Sequence, residues 1–204
     1  MTAPTVTRAG VVEATRELIR SEGLDAVSLR RVGRAVGVTA PALYAHVKDK
    51  EDLLRAVAST QYAELVERLH AVDEADPLDR VRASCHVYVD LALDEPELFR
   101  AMFLFPPALE DIDPLGVEFD AAPEAFAISA AAATAAVEAG ILEGEPLTIS
   151  FALWTVSHGL ASVIQMGLQL TEQQQSDLTD TVIDGLLRGL TPAPDTQPGS
   201  LDRP

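Results

Sequence analysis

The chain reads as an all-α protein in two parts, and three observations predict this. Apolar residues recur at spacings of three, four and seven through most of the 204 residues. Alternating Val/Ile/Thr runs bounded by turn residues, the mark of strands, are almost absent, and only 5% of residues are aromatic although 48% are hydrophobic. Charge is unevenly divided: residues 1–55 hold nine Lys/Arg against seven Asp/Glu, the remainder holds six against 25, and the net charge is −17. A slightly basic head on a strongly acidic body can attract phosphate locally while the body is held away from it.

Residues 1–7 read as a flexible arm. From Thr7, the run TRAGVVEATRELIRSEG puts Val11, Thr15 and Leu18, and one face over Val12 and Ile19, at helical spacing, with Gly23 as the stop. Leu24, Val27 and Leu29 are expected to plug the base of this unit, with Asp25 in the connecting turn. Ser28 caps a short helix carrying Leu29, Val32 and Val36 on one face, and Gly37 ends it in the left-handed conformation. Val38 packs inward at the turn. Thr39 is expected to cap the next helix, with Pro41 in the first turn, where a missing N–H costs nothing. Leu43 and Val47 then face the core, which turns Ala40, Ala42, Tyr44 and His46 outward. Two short helices joined by a three- to four-residue turn containing Gly form a helix-turn-helix, here residues 28–47.

Asp49 caps a long fourth helix beginning near Lys50, with Leu53, Leu54, Val57, Tyr62, Leu65, Val66 and Leu69 apolar. VDEADP, residues 72–77, is the first turn-like break after it. The run DPLDRVRASCHVYVDLALDEP places Leu78, Val81, Cys85, Tyr88 or Val89, and Ala92 on a helix that ends before Pro96. A short helix, ELFRAMFLF, is stopped by Pro106-Pro107, and residues 106–120 read as a loop. The alanine-rich stretch from Pro123 to Gly140 is helical on propensity alone. Glu145-Pro146 opens a helix of about 24 residues carrying Ile149, Leu153, Val156, Leu160, Val163 or Ile164, and Gly167. A last helix runs from about Glu172 to Leu190, and the proline-rich residues 191–204 read as a disordered tail. The functional boundary falls at about residue 55, giving units 1–55 and 56–190.

No stretch reaches 18 uninterrupted apolar residues, and the N-terminus lacks a secretory signal, so no membrane partner is expected and the cytoplasm is the expected location. The single cysteine, Cys85, excludes an internal disulfide or a Cys-based zinc site and reads as a small buried hydrophobe. His70, His86 and His158 are scattered with no i, i+4 pair, so no metal is expected. There is no G-x-S-x-G, phosphate loop or His-Glu metal motif; neither an enzyme nor a cofactor is expected.

The run GVTAPALYAHVKDKEDLL, Gly37 to Leu54, with the helix at 8–22 before it, closely resembles the N-terminal DNA-binding domain of the TetR family of transcriptional regulators. The resemblance covers roughly the first 60 residues and implies operator DNA as a partner, repression being the family's usual mode. It assigns Tyr44 and Lys50 to phosphate, with Ser28, Arg30, Lys48 and His46 beside them; Tyr44 as a core aromatic is the other reading. Thr39 reads as a cap first, with contact of its hydroxyl to DNA as the second reading. Ala40, Pro41 and Ala42 lie on the reading face, but Ala40 and Ala42 offer only methyl contacts where some relatives carry longer polar groups. That departure keeps open an alternative, a helical ligand-binding or protein-interaction module that no longer reads DNA.

The segment LWTVSHGLA, with Trp154, His158 and Gly159, resembles a Trp-His-Gly signature of one TetR-type C-terminal domain. The likeness implies a helical regulatory domain whose last two long helices pair with those of a second subunit, giving a homodimer. Ser157, Gly159, Ala161 and Ser162 would let such helices approach closely. A loose cluster of Phe99, Met102, Phe103, Phe105, Phe119, Phe126, Phe151, Trp154 and Met166 reads mostly as core. From it, Phe99, Met102, Phe103, Phe126, Phe151 and Trp154, with His158, are the candidates for a pocket taking a small, mainly apolar effector. His86 and His158 bond either such a ligand or each other's backbone.

Overall fold

A computed structural model describes residues 6–106 and 121–192. Most of the expected arm, loop and tail therefore lies outside the described residues, as does Phe119. The described residues are helical throughout and contain no strand, as the periodicity requires.

Helix α1, Arg8–Glu22, starts at Thr7, whose hydroxyl accepts from the Gly10 N–H, and stops at Gly23. A single 3₁₀ turn, Leu24–Ala26, leads into α2, Leu29–Ala35, where the Ser28 side chain accepts from Arg31 N. Gly37 takes φ +75° at the turn, a conformation that a Cβ would penalise. Gly33 is also required: a Cβ there would meet Val38 O at 2.9 Å, so α2 and the turn approach as closely as glycine permits.

Helix α3, Ala40–Leu43, is shorter than expected. After it the backbone bonds tighten to three residues, Tyr44 N to Pro41 O, Ala45 N to Ala42 O and His46 N to Leu43 O, so the unit reaches Val47 as turns. The expected Thr39 cap is corrected: Thr39 holds the position, but its side chain makes no capping bond. With Pro41 supplying no N–H, one fewer orphan donor stands there to be capped.

Helix α4, Lys50–His70, begins at the Asp49 cap as expected. It is followed by α5, Pro77–Asp94, and α6, Pro96–Leu104, separated only by Glu95. Helix α7 spans Ala121–Glu138, shifted two residues from the expected 123–140 because Gly140, at φ +69°, lies beyond its end. Helix α8 spans Pro146–Gln165, shorter than the expected 24 residues because the bonding loosens at Met166 and Gly167. Helix α9, Glu172–Leu190, carries a capping box between Thr171 and Gln174.

Packing ties these helices into one body. The first core holds Val11, Ile19 and Val32 with Leu43, Val47, Leu53 and Leu54, and it also takes Leu98 and Ala101 from α6. The opposite side of α6 contributes Phe99 and Met102 to a second core with Leu65 and Leu69 of α4 and Leu91 of α5. Helix α6 therefore belongs to both halves at once. A third core joins α5, α7, α8 and α9 through Val81, Ala133, Leu153 and Ile183. Helix α8 is long and apolar enough by length and composition to cross a bilayer, yet it packs on α5, α7 and α9 here.

Candidate nucleic-acid interface and an internal cavity

The helix-turn-helix presents one face outward. Leu43 and Val47 are buried, and Tyr44 beside them is 60% exposed, so the reading of Tyr44 as a core aromatic fails. Thr39, Pro41, Ala42, Lys48 and Lys50 are exposed, whereas Ala40 and His46 are half-buried. The missing cap bond leaves the Thr39 hydroxyl open to an outside partner. Ser28 is half-buried, with its oxygen already engaged by Arg31 N.

The cations sort sharply. Among the nine of residues 1–55, Arg8, Arg16, Arg20, Arg31 and Arg55 are held in ion pairs within the chain. Arg8 grips both Asp52 oxygens at 2.9 and 3.0 Å and donates to His46 O at 2.6 Å. The Arg8 guanidinium, with the Lys48 N–H, holds the Asp52 carboxyl below the usual range. Arg30, Arg34, Lys48 and Lys50 have no ion-pair partner among the described residues, and all four are exposed. These four, rather than the whole basic set, are the cations of this unit left without an ion pair among the described residues. Arg34, one turn after Arg30 on α2, was not among the expected DNA contacts.

In the body, a cavity of about 320 Å³ lies between α4, α5, α6, α7 and α8. Four of the seven expected pocket residues line it: Phe103, Phe126, Phe151 and Trp154. Phe99 and Met102 are instead buried in the core behind it, because their positions on α6 turn them toward α4 and α5. Met166 is 85% exposed past the end of α8, so it joins neither the core nor the cavity. Phe105 packs against the first core.

His158 stands behind the wall. Trp154 Nε1–H donates to the Tyr88 hydroxyl at 3.1 Å, and that hydroxyl meets His158 Nδ1 at 3.0 Å. Burial lowers the His158 pKa, which favours a neutral ring accepting from Tyr88. The rings of Phe103 and Phe99 enclose it, with centroids 4.6 and 5.6 Å away. His86 bonds Asp180 at 2.8 Å. Neither histidine bonds the other's backbone; each ties one helix to the next.

The sequence reading missed the polar part of the lining. Ser84 and Cys85 of α5, Ser129 of α7, and Ser150 and Ser157 of α8 all face the cavity, with Tyr62 and Tyr88. Ser150 and Ser157 lie seven residues apart, on the stripe that carries Leu153, so a helical-face reading of the small polar residues could have found them. Burial pushes the Cys85 thiol up to about 11, which keeps it uncharged.

Two family models match the chain, one in each half. The model of bacterial regulatory proteins of the tetR family matches residues 11–57, and that of the tetracyclin repressor-like C-terminal domain matches residues 81–188. A helix-turn-helix-type transcriptional regulator of Bacillus subtilis (strain 168) is 26% identical over 100 residues, 48% of this chain. The match spans about half of that relative, 52% of its length. Among solved structures, a protein of unknown function from Rhodococcus sp. RHA1 has a TM-score of 0.75 at 24% identity, covering 92% of this chain and 97% of that one. AibR, solved with isovaleryl coenzyme A and operator DNA, has a TM-score of 0.58 at 20% identity, covering 91% and 98%. At such identities these two likenesses establish the fold.

Proposed function

This chain belongs to the tetR family of bacterial regulatory proteins, and on that premise we propose that it is a dimeric transcriptional repressor released from a near-palindromic operator by a small, mainly apolar effector. The observation that carries the reading is the outward face of the helix-turn-helix. Tyr44 and the Thr39 hydroxyl stand exposed there, and four exposed cations of the same unit form no ion pair among the described residues. Residues 1–55 would read DNA, with Ser28, Arg30, Thr39, Tyr44, His46, Lys48 and Lys50 on phosphate and Ala40, Pro41 and Ala42 against base edges.

Pairing through α8 and α9 is supported by their outer faces. Phe151, Thr155, Gly159 and Val163 recur every four residues along α8 and are exposed, as are Thr181, Gly185 and Gly189 on α9. Ridges of i, i+4 spacing with small residues between them suit helix-on-helix packing. A two-fold dimer would set its reading helices about 34–36 Å apart, one turn of duplex.

The cavity supplies the effector site, and α6 supplies the link, since it packs on the cavity side and in the DNA-reading core together. AibR offers a precedent for a protein of this fold taking both a small molecule and operator DNA.

A gel shift with DNA from upstream of the chain's own coding region tests the reading. Binding is expected at low salt, lost in Tyr44→Ala, and shallower in salt dependence by about one unit of slope in Lys50→Ala. Failure to bind any duplex at low ionic strength, or a purely monomeric protein, would overturn it.

A further inference from the structure

The cavity is large enough to hold a molecule, and its wall is specific about charge. None of the sixteen described residues that line it is Asp, Glu, Lys, Arg or His. Two ionisable groups of the wall stay neutral: burial raises the Cys85 thiol to about 11 and pushes the Tyr88 hydroxyl far above its usual range. A carboxylate or phosphate brought into this space would lose its hydration and gain no counter-charge.

The wall is also specific about hydrogen bonding. The hydroxyls of Ser84, Ser129 and Ser150 each donate to a carbonyl one turn back, at 2.8, 3.2 and 2.7 Å. Their protons are engaged, so toward the cavity they offer lone pairs. Ser157 differs. It is 2% exposed, and its Oγ has no nitrogen or oxygen partner among the described residues. Its contact is with the Cys85 thiol, a weak hydrogen-bonding group. A buried hydroxyl held only by a thiol is under-satisfied, and a guest carrying its own hydroxyl would offer it a stronger bond. Such a guest can accept from Ser157 and donate to a serine whose proton is already engaged.

Resting on the reading of this cavity as the effector site, we infer that it takes an uncharged, hydroxyl-bearing ligand with an aromatic or compact apolar body, and rejects carboxylates and phosphorylated molecules such as coenzyme A thioesters. The volume corresponds to about ten to fifteen non-hydrogen atoms at roughly 20–30 Å³ each. The aromatic walls, Phe103, Phe126, Phe151 and Trp154, favour a ring over a flexible chain.

Trp154 is the single tryptophan of the chain and lies in this wall, so its fluorescence reports occupancy directly. Three probes of one shape separate the chemistry: 3-phenylpropan-1-ol, 3-phenylpropanoate and propylbenzene, titrated at pH 8 into the full-length protein with calorimetry in parallel. The alcohol is expected to shift Trp154 emission saturably and to bind at least about tenfold tighter than the carboxylate. Ser157→Ala is expected to weaken the alcohol about fivefold and propylbenzene less than about twofold, with a thermal melt of the ligand-free protein that does not fall. A carboxylate that binds as tightly as the alcohol overturns the inference, as does Ser157→Ala leaving the preference for alcohol over propylbenzene intact. So does the absence of binding by all three. A gel shift run with the alcohol separates the two ideas: binding that follows Ser157 without releasing DNA overturns the effector reading while the ligand chemistry stands.

Discussion

Replacing Glu97 should loosen the junction between α6 and the helix-turn-helix, and the structure sets the size of the effect. The Glu97 carboxylate accepts from the Leu24 backbone N–H at 2.9 Å, at the 3₁₀ turn between α1 and α2. Leu24 is buried, so Glu97→Ala leaves a main-chain donor without a partner. A bond to a charged acceptor is worth about 1.5–3 kcal/mol, and the exposure of the Glu97 side chain reduces this to about 1–2 kcal/mol. For a chain of this length each kcal/mol moves the melting point by about 2–4 °C, so a drop of about 2–8 °C is expected. Glu97→Gln keeps an oxygen at the same reach and loses only charge and the exposed Arg100 contact at 3.5 Å. It should recover at least half of the loss. Calorimetry gives the melting points, and amide exchange at Leu24 gives the local effect, faster in Ala than in Gln. An Ala variant that melts with the parent, or a Gln variant that melts with Ala, would show that this bond does not hold the junction.

Met102→Ala empties a fully buried position beside the cavity and should cost about 2–5 kcal/mol, measured by denaturant unfolding. Because the Arg8 guanidinium holds Asp52 below its unfolded pKa of about 3.9, Asp52 contributes stability above that value. That contribution is lost as pH falls toward the lower folded value; melts from pH 7 down to pH 3 should fall less steeply in Asp52→Asn. Cys85, buried and with its thiol raised to about 11, should resist a thiol reagent at pH 8 and react only after denaturant is added, read as released chromophore.

What was legible in the sequence was local. Ser28, Gly37 and Asp49 act within four residues of themselves, and Leu43 against Tyr44 follows from a helical period within one turn. Thr39 looked like a cap, but a cap depends on whether the chain beyond it leaves donors to satisfy, and Pro41 removes one. The charge count did not show which cations pair within the chain. Arg8 sits 44 residues from its partner Asp52, and Arg16 and Arg20, besides their local partners Glu13 and Glu17, also pair with Glu64 and Glu95, 48 and 75 residues away. The cavity suffered from the same distance. Aromatics announce themselves in a sequence, whereas Ser84, Ser129 and Ser157 become a polar lining only when three helices bring them together.

The double membership of α6 bears on how far the N-terminal reader is portable. Leu98 and Ala101 complete the centre around which the first three helices close, and they lie some forty residues past the point where a sequence-based boundary would cut. A truncated head ending near residue 55 would keep its outward face and carry a hollow where those side chains stood. Grafting this reader onto another protein would mean carrying a stand-in for that helix along with it.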